Sequence, residues 1–503
     1  MDLLANIQNG FLSVLMPVPI FLMVAGTLLG ILVGATPGLS SGMAVAILLP
    51  LTFTMSPLNG IVFLVSIYIA VTYGGAITAI LLNTPGAPEN TVTAFDGFAL
   101  TSQGSSAEAL GTAIGASAFG GLLSYIAMLF GIGVVATIAL NFGPPEIFLI
   151  SLAGVAILGV VGSGSVFKTL ASGAFGLLVG TIGIVPTGEW RATFNNPFLV
   201  EGVQVIPVLI GMFVLSELMV LSTREYIIDE EIESDRSVGR ILTALTNPLR
   251  RGGTLLRSST LGMFVGLIPA AGATLASFAA YSLSKKLSRN PAEYGKGSIE
   301  GLVSAESANN ACSGGAIMTT LVLGVPGSVT TAVLLGALTM HGLQAGPSFV
   351  AQQTDLVYGI ISAAIVSQVI MIAAAVAAGF LLSGTLSVSS RILIPVILIF
   401  SVVGAFALRN STFDIYLMLG AGGLGYLMKM TGYSPASVVM GVILAPIADN
   451  ELIRMFQLFG DDWYLAFVTR PLAAGILTIF GLVSFWTIIR ALRSKRTDRA
   501  VGP

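Results

Sequence analysis

Residues Leu81–Asn90 read LLNTPGAPEN and follow VFLVSIYIAVTYGGAITAI, a run apolar enough to cross a bilayer. Two prolines, a glycine, two asparagines and a glutamate arrive where a helix should be finishing in lipid. Thr84 precedes Pro85, which disfavours helical geometry at that residue. Gly86 reaches dihedrals that other residues avoid. Pro88 suits the first turn of a new helix, where its missing N–H matters little. Such a stretch is either an ordinary loop or backbone broken inside the membrane.

A second copy weighs the choice towards the break. GGAITAILLNTPGAP (Gly74–Pro88) is matched by GGAIMTTLVLGVPGSV (Gly314–Val329), with GGAI displaced by 240 residues and Pro-Gly by 241. Upstream, GILVGATPGLSSG (Gly30–Gly42) matches GMFVGLIPAAGAT (Gly262–Thr274) as G-x-x-V-G-x-x-P, displaced by 232. One match would mean little in a chain rich in Gly and Ala. Two in the same order, with nearly the same shift, make an internal repeat. Paired Gly/Pro-interrupted segments in two halves of a membrane protein point to a secondary transporter. Broken backbone at membrane depth is tolerated only inside protein or along a watery cavity. The N–H and C=O groups it frees need partners, which a substrate and its coupling ion can supply.

Composition agrees with a polytopic membrane protein. Of 503 residues, 55% are hydrophobic and 9% charged, against about 25% charged in soluble domains. Apolar runs of span length recur from Phe11 to Ile489, giving roughly 10 to 14 membrane segments of about 20 residues each. The single cysteine, Cys312, excludes an intramolecular disulfide, and the single histidine, His341, makes a His-based metal site improbable. The start, MDLLANIQNG, has no basic n-region, so no cleaved signal peptide is expected. A net charge of −2 gives no reason to expect nucleic-acid binding.

The basic residues are unevenly placed. None precedes Lys168, and fifteen of the 22 fall in three segments. These are the central loop (Arg224, Arg236, Arg240, Arg250, Arg251, Arg257), SKKLSRNPAEYGKGS (Lys285, Lys286, Arg289, Lys296), and the tail (Arg490, Arg493, Lys495, Arg496, Arg499). The positive-inside rule places all three, and so the C-terminus, in the cytoplasm. Ser258–Leu283 then starts and ends on one side, and its 26 residues are too few for two spans. It is expected to enter and leave the same face, turning at GLIPAAGA (Gly266–Ala273). A plain span with one flank on the other side is the alternative. The resulting division is a first repeat half over 1–223, a charged cytoplasmic linker over 224–257, a second half over 258–489 and a basic tail over 490–503.

The breaks suggest the chemistry. A helix restarting near Pro88 exposes N–H groups that favour negative charge. Asn83 and Thr84 can reach the same place. Substrate contacts are expected from Asn83, Thr84, Pro85 and Gly86 at the first tip. The second tip would add Pro326, Gly327, Ser328, Thr330 and Thr331, with Ser328 as a cap. The outer element, Thr36 to Ser41, would contribute Ser40 and Ser41. Freed carbonyls with Asn, Ser and Thr oxygens are hard ligands suited to Na⁺. Candidate ion ligands are Gly38, Asn90, Asn309, Asn310, Gly272 and Thr274. No Lys or Arg stands near the tips, so an anion would be held by helix N-termini, hydroxyls, amides and a co-bound cation. Neutral polar substrates also fit this chemistry.

EGLVSAESANNACSGGA (Glu300–Ala316) is polar for a membrane helix. Its Glu306, Asn309 and Asn310 are either functional or hydrogen-bonded packing residues. Glu300, near the cytoplasmic entry, reads as structural. Glu89 and Asp96 could bind a cation, with a wet loop end the reading favoured for both; His341 and Cys312 are expected as packing residues, and Lys168 and Arg391 as snorkelling cations.

At GATPGLSSG…YGGAITAILLNTPGAPENTVTAFDG and EGLVSAESANNACSGGAIMTTLVLGVPGS the chain resembles the large membrane subunit of the tripartite tricarboxylate transporter family. NFGPPE (Asn141–Glu146) and HGLQAGP (His341–Pro347) extend the resemblance over nearly the whole chain. The resemblance implies an all-α polytopic protein of two inverted repeats, each with a re-entrant helical hairpin and a broken helix, in an elevator-type architecture. It implies a bacterial inner-membrane importer of citrate and other di- or tricarboxylates, sometimes aromatic carboxylates, driven by an ion gradient, usually Na⁺. It would work with a small membrane subunit and a periplasmic substrate-binding protein, need no cofactor beyond the coupling ion, and leave a homodimer open. The rival readings are a channel, because re-entrant loops also line pores, and an intramembrane enzyme, for which no carboxylate dyad is evident. No G-x-x-x-x-G-K-[ST] loop supports an ATP-driven pump.

Overall fold

The computed structural model describes residues 3–482 apart from 37, 162–164, 186, 223–225, 232–234, 236, 383–384 and 408. Expected features at Pro37, Arg224, Arg236, the Arg391 side chain and the basic tail lie outside what is described.

The first half runs α1 (Leu3–Val14), α2 (Pro17–Gly34), α3 (Ser41–Leu48), α4 (Pro57–Leu82), α5 (Thr91–Ser102), α6 (Ser106–Ala139), α7 (Pro144–Val161), α8 (Val166–Gly180) and α9 (Val205–Leu221). α9 carries a π-type turn over Ile210–Leu215. After it come α10 (Val238–Ala244), α11 (Gly252–Gly266), α12 (Gly272–Leu287), α13 (Ile299–Leu323), α14 (Val329–Met340), α15 (Thr354–Leu382), α16 (Ser390–Ala407), α17 (Thr412–Thr431), α18 (Pro435–Phe459) and α19 (Pro471–Leu482). Among the described residues, five helices are long and apolar enough to cross a membrane, starting at Pro17, Pro57, Ser106, Thr354 and Pro435, and seven shorter apolar helices accompany them. The all-α expectation needs one amendment. Gly183–Ile184 pairs with Trp190–Arg191, and Tyr226–Glu231 with Thr385–Ser389, both antiparallel. The expected linker is partly helical, since α10 lies within it and α11 starts six residues before Ser258.

The chain forms two compact units, Met1–Thr137 with Gln204–Thr431, and Ile138–Val203 with Gly432–Pro503. In the smaller one, Glu146 of NFGPPE accepts from the Gly143 N–H at 2.8 Å and from the Arg470 Nε at 2.7 Å. The Lys168 Nζ there lies 5.2 Å from the centre of the Tyr433 ring, so its ammonium is held over an aromatic face.

The larger unit holds both copies of the repeat, around α4 and α13. α4 is apolar all round and buried from Gly60 to Leu81, as a central helix should be. α13 is buried from Gly301 to Val322 although much of it is polar. α2 packs on α4 and α11 on α13 through glycines at equivalent positions. A Cβ on Gly30 would lie 2.7 Å from the Ala70 Cβ, and one on Gly34 2.6 Å from the Val71 carbonyl. Gly262 and Gly266 stand likewise 2.2 Å from the Ala308 and Cys312 carbonyls. Small residues four apart let two membrane helices approach at backbone contact.

The interruptions repeat as well. α2 ends at Gly34 and α11 at Gly266, 232 residues on. Beyond them Gly38 (φ 88°) and Ala270 (φ 59°), again 232 apart, both take the left-handed conformation. α4 ends at Leu82 with Asn83 left-handed (φ 53°), and α13 ends at Leu323 with Gly324 left-handed (φ 69°). Gly and Asn are the residues that close a helix this way. The next turns begin at Pro88 and Val329. α11 and α12 form a helical hairpin. At about 1.5 Å per residue each is well short of a bilayer core, and their outer ends line one shared cavity.

Candidate functional site

After α4 the chain turns back along it. The Gly86 N–H donates to the Gly75 carbonyl at 3.2 Å, and Thr101 of α5 donates to Ile80 at 2.7 Å. α5 therefore runs beside the end of α4 in the same direction. A Cβ on Gly86 would lie 2.2 Å from the Gly34 carbonyl and 2.5 Å from the Gly75 Cα. One on Gly327 would lie 2.6 Å from the Ala316 Cα and 2.8 Å from the Gly266 carbonyl. The two glycines thus fill equivalent seats, each wedged between a central helix and the end of its packing partner.

The copies exchange contacts. α3 packs on α14, and α12 packs on the turn Pro88–Asn90. A Cβ on Gly42 of the first copy would stand 2.8 Å from Val329 Cγ1 of the second, while within the second copy the Ala270 N–H donates to the Pro326 carbonyl at 3.2 Å. Ser40 caps α3, its side chain accepting from the Met43 N–H at 3.4 Å. Ser41 donates to the Glu89 carboxylate. Ser328 caps α14 reciprocally. Its hydroxyl accepts from the Thr331 N–H at 3.2 Å, and its N–H donates to the Thr331 hydroxyl at 2.9 Å. Ser40, Ser41, Glu89, Ser328, Thr330 and Thr331 therefore share one neighbourhood, at the start of two buried helices. Thr330 is buried in the first turn of α14.

Other expected contacts sit differently. Asn83 and Thr84 are exposed, whereas Gly86, Ala87, Glu89 and Asn90 are buried. The Thr84 hydroxyl donates to the Leu82 carbonyl at 3.2 Å, and its N–H to the Thr78 carbonyl at 3.3 Å. Pro85 is half-buried beside them and Pro326 is buried. Asn90 donates to the Thr72 carbonyl at 3.1 Å while its Oδ1 has no partner among the described residues. Gly38 faces Glu217, whose carboxylate would lie 3.1 Å from a Cβ there. Gly272 (φ 68°) and Thr274 open α12, half-buried. Asn310 bonds back to the Glu306 carbonyl at 3.4 Å, and both polar atoms of Asn309 are buried without a partner among the described residues.

Three polar features carry weight in the structure; the sequence reading gave two of them only weakly and missed the third. Glu306, fully buried, accepts from Thr93 of α5 and, at 2.7 Å, from Ser117 of α6. Asp96 is no wet loop residue. It is fully buried and accepts from the Gly295, Gly297 and Ser298 N–H groups at 2.8, 3.0 and 2.8 Å and from the Tyr281 hydroxyl at 2.8 Å. It thereby ties α5 to the loop that starts α13. In that loop burial pushes the Tyr294 hydroxyl up to about 12, so it stays a neutral partner of Ser284 at 2.7 Å. Glu217 and Lys429 form an ion pair at 2.5 Å beside Gly38. Each was a lone charge in an apolar run (GMFVLSELMVLS and GYLMKMTG), and opposite charges in membrane helices usually pair. That signal was legible. Glu89, like Asp96, is buried rather than wet. His341 packs against Gly60, and Cys312 is fully buried.

This arrangement offers two half-helix starts, several hydroxyls and two buried carboxylates, Glu89 and Glu306, with no ion-pair partner among the described residues. It suits a small polar solute taken with a cation. The chain matches the family described as "Tripartite tricarboxylate transporter TctA family" over residues 20–440. It belongs to that family. This TctA-family chain is therefore a multi-pass membrane protein and a subunit of a tripartite transporter, whose members act with small membrane and periplasmic binding partners. It is similar to the "Uncharacterized 52.8 kDa protein in TAR-I ttuC' 3'region" of Agrobacterium vitis, 35% identical over 99% of this chain and 98% of that protein. It is also similar to the "Uncharacterized protein in TAR-II ttuC' 3'region" of Agrobacterium vitis, 34% identical over 47% of this chain and 97% of the relative. No solved structure matches it.

Proposed function

We propose that this chain is the translocation subunit of a bacterial inner-membrane importer for di- or tricarboxylates such as citrate, driven by cation symport. The paired, exchanged breaks carry the reading. The N-termini of α3 and α14 start side by side with their caps in place, and helix starts favour an anion. Na⁺ is the coupling ion the oxygen donors suit best. Asn90 Oδ1 and Asn309 Oδ1 are buried without partners among the described residues, and such atoms call for a ligand. A buried carboxylate such as Glu89 also needs a positive partner or a proton. That observation favours H⁺ as the second reading of the coupling ion.

The orientation of the repeats supports an inverted arrangement. α4 ends beside Thr101, and the neighbouring Gln103 donates to the Lys296 carbonyl at 2.9 Å, just before α13 begins. The matching central helices thus run in opposite senses. The α11–α12 hairpin enters and leaves the basic, cytoplasmic side. Both features suit an elevator, in which the body holding the breaks moves as a unit.

Reconstitution with the small membrane subunit and the periplasmic binding protein tests this. Uptake of labelled citrate, dicarboxylates and aromatic acids is measured under an imposed Na⁺ gradient and, separately, an imposed pH gradient. Saturable accumulation under one gradient is expected. Uptake that is non-saturable and indifferent to both would make the protein a channel.

A further inference from the structure

The outer ends of α11 and α12 line a cavity of about 600 Å³ together with the loop before α13. Four guanidinium groups face it, from Arg250, Arg251, Arg257 and Arg289. None has an ion-pair partner among the described residues. Two carboxylates, Glu293 and Glu300, also line it and offset only part of that charge, with Glu300 lying within electrostatic reach of Arg251. Glu300 accepts from Thr254 and Ser288, both at 2.7 Å, and Glu293 accepts from Asn290 at 3.2 Å. Arg257 donates through Nη2 to the Thr254 hydroxyl at 3.4 Å, while its Nε is buried with no partner among the described residues, a donor that costs stability unless an acceptor arrives.

The rim of the cavity is apolar. Leu287 lines it, and Leu249, Leu256 and Leu287 are 62%, 52% and 56% exposed. The short α10 just before it buries Ile241 and Ala244 and exposes Leu242, the pattern of a helix lying in a membrane interface. Unpaired guanidiniums beside exposed leucines suit a ligand with an anionic head and an apolar tail. Basic pockets at the cytoplasmic ends of membrane helices hold phosphate headgroups, bidentately where Arg supplies the donors.

We infer that this cavity binds the phosphate headgroup of an anionic inner-leaflet phospholipid, fixing the base of the α11–α12 hairpin to the membrane. Purified full-length protein in neutral phosphatidylcholine nanodiscs is titrated with fluorescent phosphatidylglycerol or cardiolipin. Arg250→Gln with Arg257→Gln should weaken binding by about thirtyfold, as expected for two lost surface charges. Lys285→Gln with Lys286→Gln removes the same charge from outside the cavity and should change it less than about twofold. Arg289→Gln, at an exposed loop position, serves if the double variant does not fold. Equal loss in both double variants, or equal binding of labelled phosphatidylcholine, would overturn the site. Displacement of the lipid by millimolar inorganic phosphate would assign the cavity to a soluble anion and overturn the lipid.

Discussion

Asn83 looked in sequence like a binding side chain at the centre of the break, and in the fold it closes α4 in a left-handed conformation. Its counterpart 241 residues on is Gly324, also left-handed, which points to backbone geometry as the shared requirement. The glycines that follow do the packing. Gly86→Ala or Gly327→Ala places a methyl group against backbone that has nowhere to move. Each should lower stability by about 1–3 kcal/mol, the usual cost of overpacking. Asn83→Gly should keep the fold, since Gly suits the same dihedrals. Thermal unfolding of the detergent-purified variants checks both, and a Gly86→Ala protein as stable as the parent would remove the wedge argument. Asn83 and Thr84 were legible as unusual residues. That they are exposed, while Glu89 and Asn90 are buried, depends on the chain doubling back along α4, which no local pattern encodes.

At the scale of elements, the repeat was readable because its punctuation is chemical. Gly, Pro and Asn stop helices wherever they stand, so the ends of α2, α4, α11 and α13 fall at matching positions of the two copies. The hairpin was readable from length and charge together, since two basic flanks leave too few residues for two spans. Its helices begin and end a few residues outside the expected Ser258–Leu283. Thiol labelling in a Cys312→Ser background tests the topology. Gly253→Cys and Asn290→Cys, at the two ends of the hairpin, should both react with an impermeant reagent only from the cytoplasmic face. Inverted copies further require Ser102→Cys and Gln344→Cys to react from opposite faces. Reaction of both from one side would remove the inversion.

For the whole molecule, the two sequence halves do not form two bodies. Each gives a stretch to the larger unit and a stretch to the smaller one. The larger unit carries the paired breaks and every candidate contact, as the proposed elevator would need. Spin labels at Ser102 and Glu189, one in each unit, should show distances that shift by more than about 5 Å on adding substrate and Na⁺, the scale of a rigid-body switch. A pair within the larger unit, Ser102 and Asn290, should not shift. Unchanged distances between units under turnover conditions would argue for a fixed pathway with local gates.

The sequence by itself determined that the chain lives in a membrane, that its two halves repeat, where its helices stop and which family it joins. Those properties follow from hydropathy and from residues whose backbone limits act wherever they occur. Only the tertiary structure decided which breaks meet, that Ser41 reaches Glu89, that Glu306 takes hydroxyls from α5 and α6, and that Glu217 finds Lys429. Polar partners in a membrane are chosen across helices far apart in sequence, by whichever faces the packing glycines bring into contact.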